Sequence, residues 1–240
     1  IRMVTSVDEL RTAYPTAKAE AQQAFGDDSV YIEKLLHPAR HVEAQIMADA
    51  FGNVVCLGER ECSIQRRHQK LLEEAPSTVV TPEIRARIIE AASAAARATG
   101  YVGAGTVEFL MDDTGNFYFL EVNTRIQVEH GITELITGRD LVRDQLRVAR
   151  GEPLGYTQAD IEWRGWAIEC RIVAEDPFSG FVPSLGTVDA LAEPTGAWVR
   201  IDSALYQGME VTPYYDSLLA KLMTWGRDRT EAVERMRRAL

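Results

Sequence analysis

The chain has 240 residues, 46% of them hydrophobic and 26% charged, and a formal net charge of −10. That composition belongs to a globular chain able to bury a core, one large domain or two small ones. The acidic balance excludes a non-specific nucleic-acid binder, which needs a basic face, but leaves room for a local basic pocket. No 18-residue apolar run is present, so no membrane span is expected. Three cysteines (Cys56, Cys62, Cys170), odd in number and without paired metal-ligand spacing, favour reduced thiols and a cytosol-like compartment.

Ser6 with Glu9 makes a capping box for a helix running to about Phe25, where Gly26 stops it. Pro15 inside that helix is expected to kink or shorten it. Residues 29–36 and 41–48 read as strands, the second turning through Ala50-Phe51-Gly52-Asn53 into a strand over Val54–Leu57. A helix is predicted from Thr81-Pro82-Glu83 to Gly100, with Ile84, Ile88, Ala91 and Ala95 on its buried stripe. Residues 104–111 and 117–122 form a hairpin around Asp-Asp-Thr-Gly-Asn, and a further helix covers about 138–150. Residues 151–165, rich in Gly, Pro and polar types, are the expected linker. Beyond it, 166–173, 187–191, 198–201 and 218–225 read as strands of a small second unit. Asp228 with Glu231 starts a last helix, whose stripe of Val233, Met236 and Leu240 runs to the final residue. Residue 1 is Ile, no targeting segment is visible, and the last helix has no stop signal. The expectation is a piece of a longer chain.

Between Glu121 and Glu129 every second residue is polar: Glu121, Asn123, Arg125, Gln127, Glu129. Read as one extended strand, this lines a single face with two carboxylates, an amide pair and a guanidinium. Val122, Thr124, Ile126 and Val128 suit burial on the other face. With a loop at 113–116, Asp112 pairs with Phe117, Leu110 with Phe119, and Glu108 with Glu121. Opposed like charges are destabilising, and a divalent cation between them reverses the penalty. Asn123 on the same face adds a neutral oxygen, a set that suits Mg²⁺ together with substrate phosphates. A metal site at Glu108, Glu121 and Asn123 is therefore expected.

The run from Glu59 to Lys70 concentrates Arg60, Arg66, Arg67, His68 and Lys70 in an acidic chain. Alone, such a run is more often a solvated face, but with Gln65 it also suits a phosphate or carboxylate. No Walker-type phosphate loop, nucleophile elbow or zinc-protease motif is present. Tyr31–Leu36, leading to Pro38, is either a plain edge strand or one whose backbone reads an adenine edge. Glu169 and Arg171 share a strand face, the pattern of a surface ion pair worth little.

Four stretches together resemble the biotin carboxylases of the ATP-grasp superfamily: RHVEAQIMADAFGNVVCLGERECSIQRRHQK (40–70), EVNTRIQVEH (121–130), AIECRI-AEDP (167–177) and TPYYDSLLAKL (212–222). The resemblance covers essentially the whole chain. It implies an α+β fold: an ATP-grasp C-terminal subdomain, an antiparallel sheet with helices, over 1–150, partial at its N-terminus. A small β-rich biotin carboxylase C-terminal domain over 151–240, itself truncated, would follow. The implied reaction is ATP-dependent carboxylation of biotin by bicarbonate through carboxyphosphate. Glu108, Glu121 and Asn123 match the Mg²⁺ (or Mn²⁺) ligands at the ATP phosphates. Glu33, Lys34, Leu35 and Leu36 match the adenine segment, and His41, Gln65 and His68 the ribose and phosphate contacts. Lys70, Arg125, Gln127 and the Val128 backbone match the bicarbonate pocket. Glu129 matches the base that deprotonates bicarbonate, and Arg171 the cation that holds the biotin enolate.

The implied partners are a biotin carboxyl carrier protein or domain and a carboxyltransferase, with a homodimeric, cytoplasmic (or, in a eukaryote, mitochondrial) parent enzyme. The family's glycine-rich phosphate loop and two ATP-contacting lysines have no counterpart in these 240 residues, so the isolated chain is expected to be inactive. Gly131 stands where the family pattern carries Pro or Thr, and as the most permissive backbone residue it leaves the stiffness of the catalytic loop open. Two rivals stand beside this reading. A carbamoyl-phosphate-forming synthetase would share the acidic metal pair but not the E-C-R strand. A non-catalytic folded fragment would fit the missing glycine loop.

Overall fold

The structure, a computed structural model, describes residues 2–240. It has two compact units, one through Pro38 and one over Ala39–Leu240. The first carries α1 (Val7–Phe25), where the Ser6 hydroxyl accepts from the Glu9 N–H and Gly26 closes the helix at φ 73°. Glu9 returns the cap one residue earlier than a standard box, accepting from the Thr5 N–H at 2.7 Å. Pro15 neither ends nor shortens α1. It removes one N–H, and the two caps with the surrounding ladder suffice. Residues 29–36 form no strand, contrary to the sequence reading. They are almost all exposed, and β-propensity without a paired neighbour does not make a strand.

The second unit is built on an eight-stranded sheet. In chain order it contains β1 (Arg40–Ala48), β2 (Val54–Arg66), β3 (Gln69–Ala75), α2 (Pro82–Ala98), β4 (Gly103–Met111), β5 (Phe117–Asn123), α3 (His130–Thr137) and α4 (Leu141–Ala149). There follow β6 (Trp166–Val173), β7 (Glu175–Asp176), β8 (Val182–Pro183), β9 (Gly186–Thr187), β10 (Val199–Ser203), β11 (Glu210–Val211), β12 (Leu218–Gly226) and α5 (Arg229–Ala239). The sheet order is β10-β12-β6-β3-β2-β1-β4-β5, and β7–β8 and β9–β11 form two small separate ladders. The strands expected to build a second unit thus join the main sheet through β3 and β6. Of the strand expected at 187–191, only Thr187 is in a ladder.

The alternation of β1 explains the layering. Val42, Ala44 and Ile46 pack with Val107, Phe109 and Met111 of β4 under α2. His41, Glu43 and Gln45 point to the opposite face and are equally buried. The stripe of α2 centres on Ile88, Ala92 and Ala96, one position off the expected one in its second half, with Ile84 and Ala91 at its margin. Similarly, Ile168 and Leu222 pack against Ala232 and Met236 of α5. On the other face of the same strands, Ala167 and Met223 meet Ile132 and Ile136 of α3. The face under α2 and α5 is mainly apolar, with buried Glu59, Glu61 and Glu74 paired to Arg85, Arg40 and Arg229, while the face under α3 carries a band of polar groups.

Two local corrections shape that band. The hairpin register near the turn is Met111↔Phe117 and Phe109↔Phe119, one residue off the expected pairing. A bulge between Glu108 and Phe109 takes up the extra residue on β5, so Glu108 does face Glu121. Phe119 is exposed, so it gives the pair no cover; the buried ring contact is Phe109 against Phe117, 5.3 Å between centroids. The polar row from Glu121 to Glu129 is not one strand. β5 ends at Asn123, residues 124–129 form a loop and turn, and Glu129 (φ −80°, ψ 9°) is the N-cap of α3. The helix predicted near 138–150 is α4, and the sequence reading did not foresee α3, which Gly138 closes at φ 68°. Gly131 lies within α3, where an added Cβ would stand 2.3 Å from Met223 Sδ. Its lack of a side chain leaves room for Met223 of β12 against α3.

Candidate active site

Arg60 is the centre of the polar band. It sits in the middle of β2 with its side chain wholly buried. Nε donates to Glu43 Oε1 at 2.6 Å, Nη1 to Gln45 Oε1 at 2.7 Å and Thr133 Oγ1 at 2.9 Å. Nη2 donates to Thr106 Oγ1 at 3.3 Å and Gln127 Oε1 at 3.1 Å. Five acceptors thus match the five N–H donors of a guanidinium. Strand registry supplies three of them: Glu43 faces Arg60 across β1–β2, and Gln45 faces Thr106 across β1–β4. The other two come from the loop and from α3, so one side chain ties both to the sheet. Burial works against its charge, but Glu43 and Glu129 more than offset this and push its pKa up.

Lys70, near the start of β3, donates to Glu43 Oε2, to Glu108 Oε1 at 3.2 Å and to Glu129 Oε1 at 2.7 Å. Three carboxylates use the three donors of the ammonium. Burial opposes its charge as well, yet Glu43 and the other acids push its pKa up. Burial alone would raise Glu43, but Arg60 and Lys70 bring it down to about 2. Glu108 is likewise held at about 2 against burial, by the hydrogen bond from His41 (Nε2 to Oε2, 2.6 Å) and by Lys70. Its Oε1 also accepts from Gln127 Nε2 at 2.7 Å and Asn123 Nδ2 at 2.8 Å.

Glu129 is buried and held at both oxygens, by Lys70 on one and by Arg171 Nη2 at 3.0 Å on the other. Arg171 Nε in turn donates to the buried Glu73 at 2.7 Å. Lys221 of β12 donates to the Val128 carbonyl and lies 3.3 Å from Asp202. His130 Nδ1 lies 2.8 Å from the Gln127 carbonyl. Burial and the neighbouring Lys221 push the His130 pKa down.

The structure therefore brings together His41, Lys70, Glu108, Gln127, Glu129, Arg171 and, at the rim, Asn123, which also reaches Glu121 at 3.3 Å. Arg125 stands exposed on the loop, donating to the Ile126 carbonyl at 3.1 Å and to Asn123 Oδ1 at 3.3 Å. Gln65 binds the Cys62 carbonyl at 2.8 Å, outside this network. His68 is exposed in the β2–β3 turn at φ 64°. Glu33, Lys34, Leu35 and Leu36 lie in the first unit. The basic run is not one anion site or one solvated face. Arg60 is core, Arg66 pairs with Glu175, Arg67 reaches the Gly180 carbonyl at 3.3 Å, and Lys70 enters the site. Nor is Arg171 a surface ion pair, since its partners Glu73 and Glu129 are buried.

Sequence reasoning missed Glu43, Glu73 and Lys221, read Glu169 as the surface partner of Arg171, and left Arg60 in a run read as a solvated face or an anion site. The signal was present in β1, where His41, Glu43 and Gln45 alternate with apolar residues in a strand long enough to be central. His41, Glu43 and Cys62 also bring ligand atoms within 4.8 Å of one another. Glu43 is already taken by Arg60 and Lys70, and burial pushes the Cys62 thiol well up, so this trio suits no metal.

Comparison with known proteins gives the arrangement its class. Residues 1–157 match the family "Carbamoyl-phosphate synthase L chain, ATP binding domain", and residues 169–240 match "Biotin carboxylase C-terminal domain". The chain belongs to the biotin carboxylase family, with an ATP-binding part of the carbamoyl-phosphate synthase L-chain type followed by the biotin carboxylase C-terminal part. It is 55% identical, over all 240 residues, to the chloroplastic biotin carboxylase 2 of Populus trichocarpa, of which it covers 46%. It is 53% identical to the biotin carboxylase of a Nostoc species, covering 54% of that protein. Among solved structures it matches the biotin carboxylase domain dimer of the Hydrogenobacter thermophilus 2-oxoglutarate carboxylase, solved with MgADP and bicarbonate. That match has a TM-score of 0.94 and 50% identity over 99% of this chain and 52% of that one. The chain thus spans about half the length of the curated relatives it matches.

The low folded pKa values of Glu43 and Glu108 fix an acid limb for stability. Each lies near 2 against an ordinary 4.5. Their stabilisation is complete above the unfolded value and is lost as pH falls from there through about 2. Lys70→Met removes a cation shared by both. Its acid-unfolding midpoint, followed by circular dichroism, is expected to rise by about half a pH unit or more. An unmoved midpoint would show that Lys70 does not hold these carboxylates ionised.

Proposed function

We propose that the protein to which this chain belongs carboxylates biotin with bicarbonate at the expense of ATP, acting as an ATP-dependent carbon–nitrogen ligase. The observation that carries the reading is Glu129, a buried carboxylate held at both oxygens by Lys70 and Arg171. Each of these cations is anchored from behind by another buried glutamate. Such a carboxylate has a fixed position from which to take a proton from bound bicarbonate. Lys70 and Arg171, with Arg125 on the adjoining loop, supply positive charge for anions next to that base. Gln127 and the Val128 backbone complete the proposed bicarbonate pocket, and the Val128 carbonyl is already occupied by Lys221. In the second step Arg171 would hold the ureido oxyanion of biotin, as a positioned donor placed where charge develops.

Glu108, Glu121 and Asn123 are the residues proposed to hold Mg²⁺ or Mn²⁺. Glu108 and Glu121 stand directly opposed at the end of the sheet, and although Lys70 and His41 also hold Glu108, the set offers the hard oxygens such ions take. When bound there, the ion would neutralise phosphate charge. Glu33 to Leu36, His41, Gln65 and His68 are assigned to the nucleotide by resemblance. A biotin carrier protein or domain and a carboxyltransferase are the proposed partners. A homodimer is supported by the dimeric relative from Hydrogenobacter thermophilus. The boundary near residue 150 is kept in the sense of two family segments sharing one sheet, since the family matches end at 157 and resume at 169. Cytoplasmic residence belongs to the same proposal; no described helix is long and apolar enough to cross a membrane. The 240 residues taken alone, without the glycine-rich phosphate loop that the family resemblance implies, are proposed to be inactive.

The two chemical steps separate by mutation in the full-length protein. Arg171→Ala should damage biotin carboxylation more than the slow bicarbonate-dependent ATP cleavage seen without biotin. Glu129→Gln should damage both, each loss being on the order of 10²-fold or more. Phosphate release with and without free biotin measures this, and equal losses for Arg171→Ala would make Arg171 a structural residue.

For the metal, Glu121→Gln should weaken Mn²⁺ binding in the presence of nucleotide, followed by titration of the full-length protein. An unchanged affinity would mean the carboxylate pair is only a solvated edge.

A further inference from the structure

Behind Arg171 two glutamates stand directly opposite each other, Glu73 of β3 and Glu169 of β6, and both are fully buried. Glu73 Oε1 accepts from Arg171 Nε at 2.7 Å. Its Oε2 and both oxygens of Glu169 have no donor among the described residues. Side chains directly opposed on neighbouring strands stand with Cβ atoms only about 4.5–5.5 Å apart. Two carboxylates so placed and so buried cannot both ionise. A single proton on Glu169, donated to Glu73 Oε2, satisfies the unpaired oxygen of Glu73 and leaves one negative charge for Arg171.

The surroundings agree with that placement. Glu73 is faced by Arg171 and Glu169 from β6, by Glu129 from the start of α3 and by Glu43 from β1. Glu169 is faced by Glu73, by Lys221 from β12, by Glu129 and by Arg171. Burial pushes Glu73 up to about 7 even though Arg171 lowers it. Burial and then Glu73 push Glu169 well above the ordinary range. Glu73 has the direct ion pair, so Glu169 keeps the proton.

We infer that Glu73 and Glu169 act as one proton-sharing unit that positions Arg171 for its ligand. Carrying one proton, the unit holds the guanidinium by its Nε edge and leaves the other N–H groups for Glu129 and for an oxyanion. Carrying none, it presents a second negative charge that draws the guanidinium back into the sheet. This rests on the assignment of Arg171 to biotin, and it adds Glu73 and Glu169 as positioning residues.

Two measurements on the full-length protein test it. The first is stability against pH. A folded carboxyl with a raised pKa gives a contribution present below the unfolded value and lost as pH rises through the folded value. Wild type should therefore lose stability as pH rises from about 5 through neutrality and beyond, and Glu169→Gln, which keeps a donor but cannot ionise, should flatten that slope. The second is the KM for biotin. It should rise about tenfold across the same titration in wild type and stay flat in Glu169→Gln, a change equal to one charge-assisted hydrogen bond. Glu73→Gln should raise KM at every pH. A stability slope that survives Glu169→Gln overturns the shared proton. A KM profile unchanged by Glu169→Gln overturns the positioning of Arg171. If wild type shows no biotin-dependent turnover, the assignment to biotin fails, while the stability slope still decides the pair.

Discussion

Arg60 is the constraint on which the rest of the site depends. A guanidinium with no access to water must have every N–H accepted within the protein, and here β1, β4, the 124–129 loop and α3 each supply a partner. The cost of burying that charge is offset only if Glu43 is ionised and in place. Glu43 then has one oxygen left for Lys70, which directs Lys70 at Glu108 and Glu129. From Glu129 the chain of pairs passes to Arg171 and ends at Glu73 and Glu169. Charge alternates along this path as far as Glu73, which is how the network buries Glu43, Glu108, Glu129 and Glu73.

Such a network adds little net stability compared with an apolar core of the same shape. What it provides is geometry. Lys70, Glu129 and Arg171 are oriented by fixed partners before any ligand arrives, which is the condition for electrostatic stabilisation of developing charge without reorganisation. The opposite sheet face carries most of the apolar core, with α2 and α5 over it. Division of labour between the two faces follows from the period-2 alternation of β1, β4 and β6.

Much of this was legible in the sequence. The caps Ser6, Thr81 and Asp228, the pairing of Glu108 with Glu121, the strand 166–173 and the family itself were all read from residues and motifs. What failed did so for identifiable reasons. The row Glu121–Glu129 alternates like a strand, but its second half is set by what Gln127 and Glu129 bind, and those partners lie on distant strands. The Leu120 bulge shifted the hairpin register at one end only, which no local pattern shows. Arg60 and Arg171 were weighed as surface charges because their acceptors lie on other strands, Glu43 across the β1–β2 hairpin and Glu73 98 residues away. Residues 29–36 have strand composition but belong to no ladder among the described residues. Apart from residues 29–36, a contact between elements overrode a sound local preference.

The central claim is that Arg60 fastens the 124–129 loop and α3 to the sheet and thereby sets the site. Arg60→Met keeps the bulk of the side chain and removes all five donors. Urea unfolding should show a loss of about 3–5 kcal/mol, the usual consequence of leaving a buried partner charge unpaired. Amide hydrogen exchange should accelerate in residues 124–137, with the strands under α5 unaffected. A loss below about 1 kcal/mol, with exchange in 124–137 unchanged, would contradict the account.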